Sequence, residues 1–335
     1  METSRSRRTM IATRASIAMA LAACGTDGAG TAGGRVDQAG LEVLASAYPI
    51  AEAAERVGGD RVRVTNLTPA GSEPHDLELT PDQVEDLEDA ALVIVLGRGF
   101  QPAVEAVADR REGVTVELLD ALPVDLEGMV ADDHGDEPAA EHEPGAEDEP
   151  AADEHSGEEG TIDPHVWLDP SLMAAIVDEV TAALVELDPE GAAEIEANAA
   201  AYRSELEELE GELDEVLGDC DRSTVVVAHE AFGWLTERYG LRQEGIAGLT
   251  PGAETDPARL AELTDLVEDE GVTTVFTEPL VPSGPVEALA REAGVGTAVL
   301  DPLEGLSDDQ LAEGATYASV MRTNLQVLAD ALGCG

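Results

Sequence analysis

The stretch PEGAAEIEANAAAYRSELEELEGELDEVL, residues 189–217, decides how this chain is organised. Ala, Glu and Leu dominate it, and these residues have high helix propensity. A proline at its start is compatible with the first turn of a helix. At about 1.5 Å per residue, such a helix extends roughly 40 Å, enough to run the height of the molecule. A coiled coil is the alternative, but one stretch of this length between two α/β halves favours a linker helix over residues 189–218.

On both sides of this helix, short β-rich runs alternate with helical runs. The predicted strands cover 41–46, 61–69, 91–97, 114–121, 223–229, 242–248, 272–278 and 296–301. The predicted helices cover 49–59, 81–90, 102–110, a segment from Pro170, 231–239, a segment from Asp256, 285–293 and a segment from about Asp308. The pattern predicts an α/β fold of two lobes, residues 41–188 and 219–335, each with a central, mostly parallel sheet flanked by helices, joined by one long rigid helix.

The N-terminus has the pattern of an export signal. Several arginines precede a short apolar run that ends in Leu-Ala-Ala-Cys, so residues 1–23 are predicted to be a signal peptide too short for a stable membrane span. Leu-Ala-Ala-Cys resembles a bacterial lipobox, which predicts lipid attachment at Cys24 and a flexible tether over residues 24–40. A plain signal peptide with an incidental cysteine is the alternative. The protein is therefore expected outside the cytoplasm, lipid-anchored to the bacterial cell membrane.

Charge excludes one large class of partners. Lys and Arg total 18 against 72 Asp and Glu, a formal net charge of −54, so nucleic acid is not an expected partner. Residues 132–159 hold 13 acidic residues and are interrupted by Pro and Gly, which predicts a solvated loop within the first lobe. His134, His142 and His155 lie in this loop and are candidate weak metal contacts. A calcium module is the alternative, but the loop lacks EF-hand spacing.

After Cys24, two cysteines remain, Cys220 and Cys334. A compartment outside the cytoplasm permits disulfides. We therefore predict that these two pair and tie the C-terminal tail to the start of the second lobe.

Three histidines outside the acidic loop each lie beside a predicted strand. They are His75 in GSEPHDLELT, His165 in TIDPHVWLDP and His229 in VVVAHEAFGW. Three neutral imidazoles suit tetrahedral Zn²⁺ and leave one position for a carboxylate or water. Asp301, at the end of GTAVLD, is the carboxylate candidate. Glu278, at the end of VTTVFTE, is a rival or an acceptor that orients a ring N–H.

At these motifs the chain resembles the zinc and manganese substrate-binding lipoproteins of bacterial ABC importers. The most specific matches are DPHVWLDP at 163–170 and AHEAFGW at 228–234, and the resemblance extends over about residues 41–335. It implies two lobes joined by a rigid helix, with metal ligation by His75, His165, His229 and Asp301 in the cleft between them.

The resemblance also implies a function. The expected role is high-affinity binding of Zn²⁺ by a monomer and its delivery to an ABC transporter permease and its ATPase. Manganese members usually carry a carboxylate at the position of His229, so histidine there favours zinc. A Mn²⁺ or Fe²⁺ receptor of the same family remains the alternative.

A zinc-dependent hydrolase is the main competing class. Catalysis requires an open coordination position and a nearby general base. The chain lacks HExxH, GxSxG and P-loop motifs, and Glu230 is expected to point away from its neighbour His229. The sequence therefore predicts a receptor rather than an enzyme. An adhesin is a further alternative that no motif supports.

Overall fold

Two four-stranded parallel sheets form the framework of the protein, seen in a computed structural model that describes residues 40–124, 162–252 and 256–335. Several predictions fall outside the described residues: the signal peptide, the tether, Cys24, and the acidic loop with His134, His142 and His155.

The first lobe is built on a sheet with the strand order β2-β1-β3-β4, in which every pair is parallel. Its strands are β1 Leu41–Ala45, β2 Val62–Asn66, β3 Leu92–Val95 and β4 Val114–Glu117. Its helices are α1 Tyr48–Gly58, α2 Pro81–Asp89, α3 Pro102–Ala108, α4 Leu118–Ala121 and α5 Pro170–Leu187. All four residues of β3 are buried, as expected for an apolar strand covered on both faces.

The second lobe repeats this topology with the order β6-β5-β7-β8, again parallel throughout. Its strands are β5 Thr224–His229, β6 Arg242–Ala247, β7 Thr274–Thr277 and β8 Gly296–Val299. Its helices are α7 Gly233–Arg238, α8 Pro257–Glu270, α9 Gly284–Ala293, α10 Asp308–Glu313 and α11 Tyr317–Leu332. The predicted fold class is thereby confirmed.

Helix α6, Ala192–Leu217, joins the lobes. It is 26 residues long, so it extends about 40 Å. One face is buried, with side chains spaced three and four residues apart against α1 and α5 of the first lobe and α11 of the second: Ile195, Ala199, Tyr202, Leu206, Leu209, Leu213 and Leu217. The helix begins after the predicted Pro189, because the Asp188 carboxylate accepts a hydrogen bond from the Gly191 backbone N–H and forms a turn there.

Two predicted elements differ from the structure. Residues 118–121 form α4 instead of continuing β4, and Leu118 and Leu119 are buried in it. The predicted terminal helix is divided into α10 and α11. Gly314, with a φ of 73°, ends α10, and a capping box at Thr316 begins α11.

Three hydrogen bonds, two of them buried, connect the two lobes. The Trp167 indole N–H donates to the Pro302 carbonyl at 2.8 Å. The Trp234 indole N–H donates to the Asp163 carbonyl at 3.0 Å. The Tyr317 hydroxyl donates to the Trp167 carbonyl at 2.6 Å. These bonds satisfy polar groups that the contact between the lobes removes from water, so they favour the closed arrangement.

A disulfide joins Cys220, which follows α6, to Cys334, which follows α11. The bond therefore encloses the second lobe within a covalent loop. Among the described residues, no helix combines the length and the apolar character that crossing a membrane requires.

Candidate metal centre

Three imidazoles converge on one carboxylate oxygen. The Oε1 atom of Glu304 lies 2.9 Å from His75 Nε2, 3.1 Å from His165 Nε2 and 3.3 Å from His229 Nε2. The four residues offer ligand atoms that all lie within 4.8 Å of one another. Of the predicted metal ligands, the structure therefore brings together the three histidines, and the carboxylate that meets them is Glu304.

The topology of the sheets explains this convergence. His75 lies in the loop between β2 and α2, His229 is the last residue of β5, and Glu304 follows β8. The carboxyl ends of parallel strands share one edge of a sheet, where ligands of α/β proteins bind. His165 reaches the same point from the segment before α5, where Asp169 caps the helix by accepting a hydrogen bond from the Ser171 N–H at 2.7 Å.

Asp163 orients the His165 ring. Its Oδ1 atom lies 2.7 Å from His165 Nδ1 and also accepts the His165 backbone N–H at 2.9 Å. The carboxylate thereby fixes both the backbone and the ring. A hydrogen bond at Nδ1 leaves Nε2 as the atom available to a metal.

Glu278 has the same relation to His229. Its Oε2 atom lies 2.7 Å from His229 Nδ1, and its Oε1 atom accepts the His229 backbone N–H at 3.1 Å. Glu278 follows β7, which pairs with β5, so neighbouring strands supply the histidine and its acceptor. This is the orienting contact that the sequence suggested for Glu278.

His75 has a different environment. Its backbone N–H donates to Glu73 Oε1 at 2.8 Å, and its ring makes an edge contact with Phe100, with centroids 4.6 Å apart. Its side chain is 7% exposed, whereas those of His165 and His229 are fully buried. His75 is therefore the ligand nearest to solvent.

The carboxylates dominate the electrostatics of this buried cluster. Burial alone would lower the pKa of His229, but the Glu304 and Glu278 carboxylates raise it to about 10. The pKa of His165 is also raised, because Asp163 and Glu304 outweigh its burial. Burial opposes ionisation of Glu304, yet the surrounding imidazoles hold its pKa well below the usual value. Without a metal, these shifts in pKa favour protonated His165 and His229 beside an ionised Glu304.

Asp301, the carboxylate predicted to complete the site, is used differently in the structure. Its Oδ1 atom accepts the Leu303 N–H at 2.8 Å, and its Oδ2 atom accepts from Gln310 Nε2 at 2.7 Å. The Asn324 side chain holds the Asp301 backbone through both its N–H and its carbonyl. Leu303 has a φ of 57°, and this left-handed residue directly precedes Glu304. Asp301 thus holds the turn that aims Glu304.

The donor set fits a zinc ion. Zn–N and Zn–O bonds of about 2.0–2.2 Å in a tetrahedron separate neighbouring ligand atoms by roughly 3.3–3.6 Å. The observed separations of 2.9–3.3 Å between Glu304 and the three nitrogens are a few tenths of an ångström shorter, so a small outward shift of these side chains would accommodate the ion. Among the described side chains, His229 Nε2 is also one of the buried polar atoms without a hydrogen-bond partner. An ion at the centre would engage it.

Two residues at this site, Glu304 and Asp163, are not among those predicted from the sequence. Asp163 carries a recognisable signal, because an Asp two residues before a His can accept that residue's backbone N–H in an Asx turn. Glu304 and Asp301 lie in the same loop, and the backbone conformation of that loop determines which of the two side chains points toward the histidines.

Comparisons with known proteins agree with this architecture. A sequence-family model described as zinc-uptake complex component A, periplasmic, matches residues 43–331. The zinc-binding lipoprotein AdcA of Streptococcus pneumoniae (strain ATCC BAA-255 / R6) is 33% identical over 291 residues, which cover 86% of this chain and 55% of that protein. The high-affinity zinc uptake system protein ZnuA of Bacillus subtilis (strain 168) is 33% identical over 316 residues, covering 93% of each. This chain therefore spans about half the length of AdcA and nearly all of ZnuA.

A solved structure shares the fold. The crystal structure of the Zn(II)-bound ZnuA-like domain of Streptococcus pneumoniae AdcA matches with a TM-score of 0.70 and 29% identity, covering 88% of this chain and 99% of that domain.

Proposed function

Because this chain belongs to the family of periplasmic zinc-uptake components, we propose that it is an extracytoplasmic receptor that binds Zn²⁺ and delivers it to an ABC transporter for import. The ion is cargo, captured and released without chemical change. The proposed ligands are the Nε2 atoms of His75, His165 and His229 and a carboxylate oxygen of Glu304. Asp301 takes the role of holding the Glu304 turn.

The observation that carries this proposal is the convergence of three imidazole nitrogens and one carboxylate oxygen in a buried position between the lobes. Three nitrogen donors favour a borderline-soft ion such as Zn²⁺ over a hard one. The two carboxylates behind His165 and His229 fix their rings before the metal arrives. The names of the zinc-binding relatives support the same ion.

The enclosure of the site supports a receptor rather than a hydrolase. His165 and His229 are fully buried, and Glu304 is 1% exposed. A hydrolytic zinc site keeps one position open for water and substrate. In the proposed ligand set Glu304 takes the fourth position, which leaves no such opening among the described ligands.

Chelator competition tests the proposal. Metal-free protein is titrated with Zn²⁺ and, in parallel, with Mn²⁺, comparing the native chain with His229→Ala. We expect one tight zinc equivalent, much weaker manganese binding, and loss of the tight site in the variant. Gln326→Ala, at an exposed position of α11, is the control and should retain the site. Comparable affinity for Mn²⁺ would instead favour a Mn²⁺ or Fe²⁺ receptor of the same family.

The remaining parts of the proposal concern the cell. Cys24 is the proposed lipid anchor to the cell membrane, supported by Leu-Ala-Ala-Cys and by a relative named as a lipoprotein. A monomer is proposed to dock on the permease, which the ATPase drives, and modest shifts of the lobes would release the ion. The acidic loop 132–159 is proposed to collect zinc. Deleting it should slow uptake at limiting zinc, and unchanged uptake would remove that role.

A further inference from the structure

We propose that Gln101 is a positioning residue that holds His75 in place for the metal. This inference rests on the proposed function, because it concerns how one of the proposed zinc ligands is held. Gln101 lies directly before α3 and is 1% exposed.

The Gln101 side chain joins two points of the loop that carries His75. Its Nε2 group donates to the Pro74 carbonyl at 3.1 Å and to Thr68 Oγ1 at 3.0 Å. The Thr68 hydroxyl donates in turn to the Ser46 carbonyl at 2.8 Å. Ser46 follows β1, so a continuous series of hydrogen bonds connects the carboxyl end of this interior strand to the residue before His75.

His75 depends on this support more than the other two ligands do. Asp163 and Glu278 each hold both the backbone N–H and the ring of a histidine. At His75 the neighbouring Glu73 accepts the backbone N–H, and the ring rests on Phe100. Phe100 and Gln101 are adjacent, so the same short segment supports the ring and fixes the preceding carbonyl.

Position 101 requires the NH₂ group of the glutamine side chain. Among the described residues, Gln101 Oε1 is buried without a hydrogen-bond partner, so the contacts of this side chain are those of its NH₂ group. The buried Pro74 carbonyl has one other donor, the Leu77 backbone N–H at 3.2 Å, which lies in the same loop. Removing the Gln101 amide therefore detaches this carbonyl from the segment before α3. Since the carbonyl belongs to the peptide that leads into His75, losing that anchor would let the ligand shift.

A double-mutant cycle tests whether Gln101 acts through His75. Zinc affinity is measured by chelator competition for the native chain, Gln101→Met, His75→Ala and the double variant. Gln101→Met should weaken zinc binding about 10- to 100-fold, the usual effect of losing an outer support of a ligand. In the His75→Ala background the same substitution should change affinity by less than about twofold.

Three further measurements separate positioning from folding. Gln326→Met, on the exposed face of α11, is the matched control and should leave affinity unchanged. Thr68→Val removes one of the two acceptors of the Gln101 amide and should weaken zinc binding by a smaller factor. This variant tests the same contact if Gln101→Met does not fold. The visible spectrum of the Co²⁺-loaded Gln101→Met protein should change, because the cobalt d–d bands report the ligand geometry.

The outcomes distinguish the two proposals. Equal losses of affinity in the native and His75→Ala backgrounds, or no loss in either, would overturn the positioning role while leaving the receptor intact. Absence of a tight zinc equivalent in the unmodified protein would overturn the proposed function itself, and the role of Gln101 with it.

Discussion

Replacing Glu304 by Gln tests which carboxylate completes the site. The substitution keeps the shape of the side chain but removes its charge, beside three nitrogens at 2.9–3.3 Å. Removing one partner from a buried charged set costs about 3–5 kcal/mol. Since about 1.4 kcal/mol corresponds to a factor of ten, zinc affinity should fall about 140- to 3,700-fold.

Asp301→Asn is the matched comparison. The carbonyl oxygen of an Asn at this position can still accept the Leu303 N–H, so the turn stays largely in place. Its NH₂ group cannot accept from Gln310, so that contact is lost. We expect a loss of about tenfold, the size of an outer-support effect. Both affinities are measured by competition with a chelator, after thermal unfolding shows that the metal-free variants are folded. A Glu304→Gln protein that binds zinc within threefold of the native chain, or a larger loss in Asp301→Asn, would refute the assignment of Glu304.

Four other predictions follow from the structure. Zinc affinity should fall between pH 7.5 and pH 5, since protons compete for nitrogens such as that of His229, whose pKa is about 10 without metal; constant affinity would argue against imidazole ligands. Because the pKa of His229 is raised on folding, protonation of His229 stabilises the metal-free fold below pH 6.5, and this stabilisation is lost as the pH rises through 10. The free energy of unfolding, measured by urea titration, should therefore decline over this pH range, and it should decline less in His229→Ala. Tyr317→Phe removes the donor to the Trp167 carbonyl and should cost about 1–3 kcal/mol in the same assay. Denatured, unreduced protein should show no free thiol at Cys220 and Cys334, whose separate replacement by Ser should destabilise it by about 2–5 kcal/mol; a count of two thiols would contradict the bond.

The sequence predicts the architecture because its signals there are local. Alternating strand and helix patterns identify both lobes, and a long run of strong helix formers identifies α6. The start of α6 is less predictable, since Asp188 forms a turn with Gly191 through its side chain. Helix propensity does not report such a contact.

The metal site, too, is only partly predictable from the sequence. The three histidines stand out because they are the only histidines of the sequence outside the acidic loop, whereas the fourth ligand position depends on tertiary structure. Asp301 and Glu304 have similar chemistry and share one loop. The left-handed Leu303 between them, held by Asp301 and supported by Asn324 from α11, determines which side chain faces the histidines. The backbone conformation of an irregular loop is not encoded in a pattern of residue types.

The burial of the ligands has a kinetic consequence. His165 and His229 are fully buried, and the hydrogen bond from Tyr317 to Trp167 connects the two lobes. A chelator cannot touch an ion in this position until the lobes separate. The rate of zinc removal should therefore reach a plateau as chelator concentration increases, and that plateau equals the rate of opening. The residence time of the ion then depends on how often the lobes open. The proposed docking to a transporter would shorten it by promoting opening, without first weakening a metal–ligand bond.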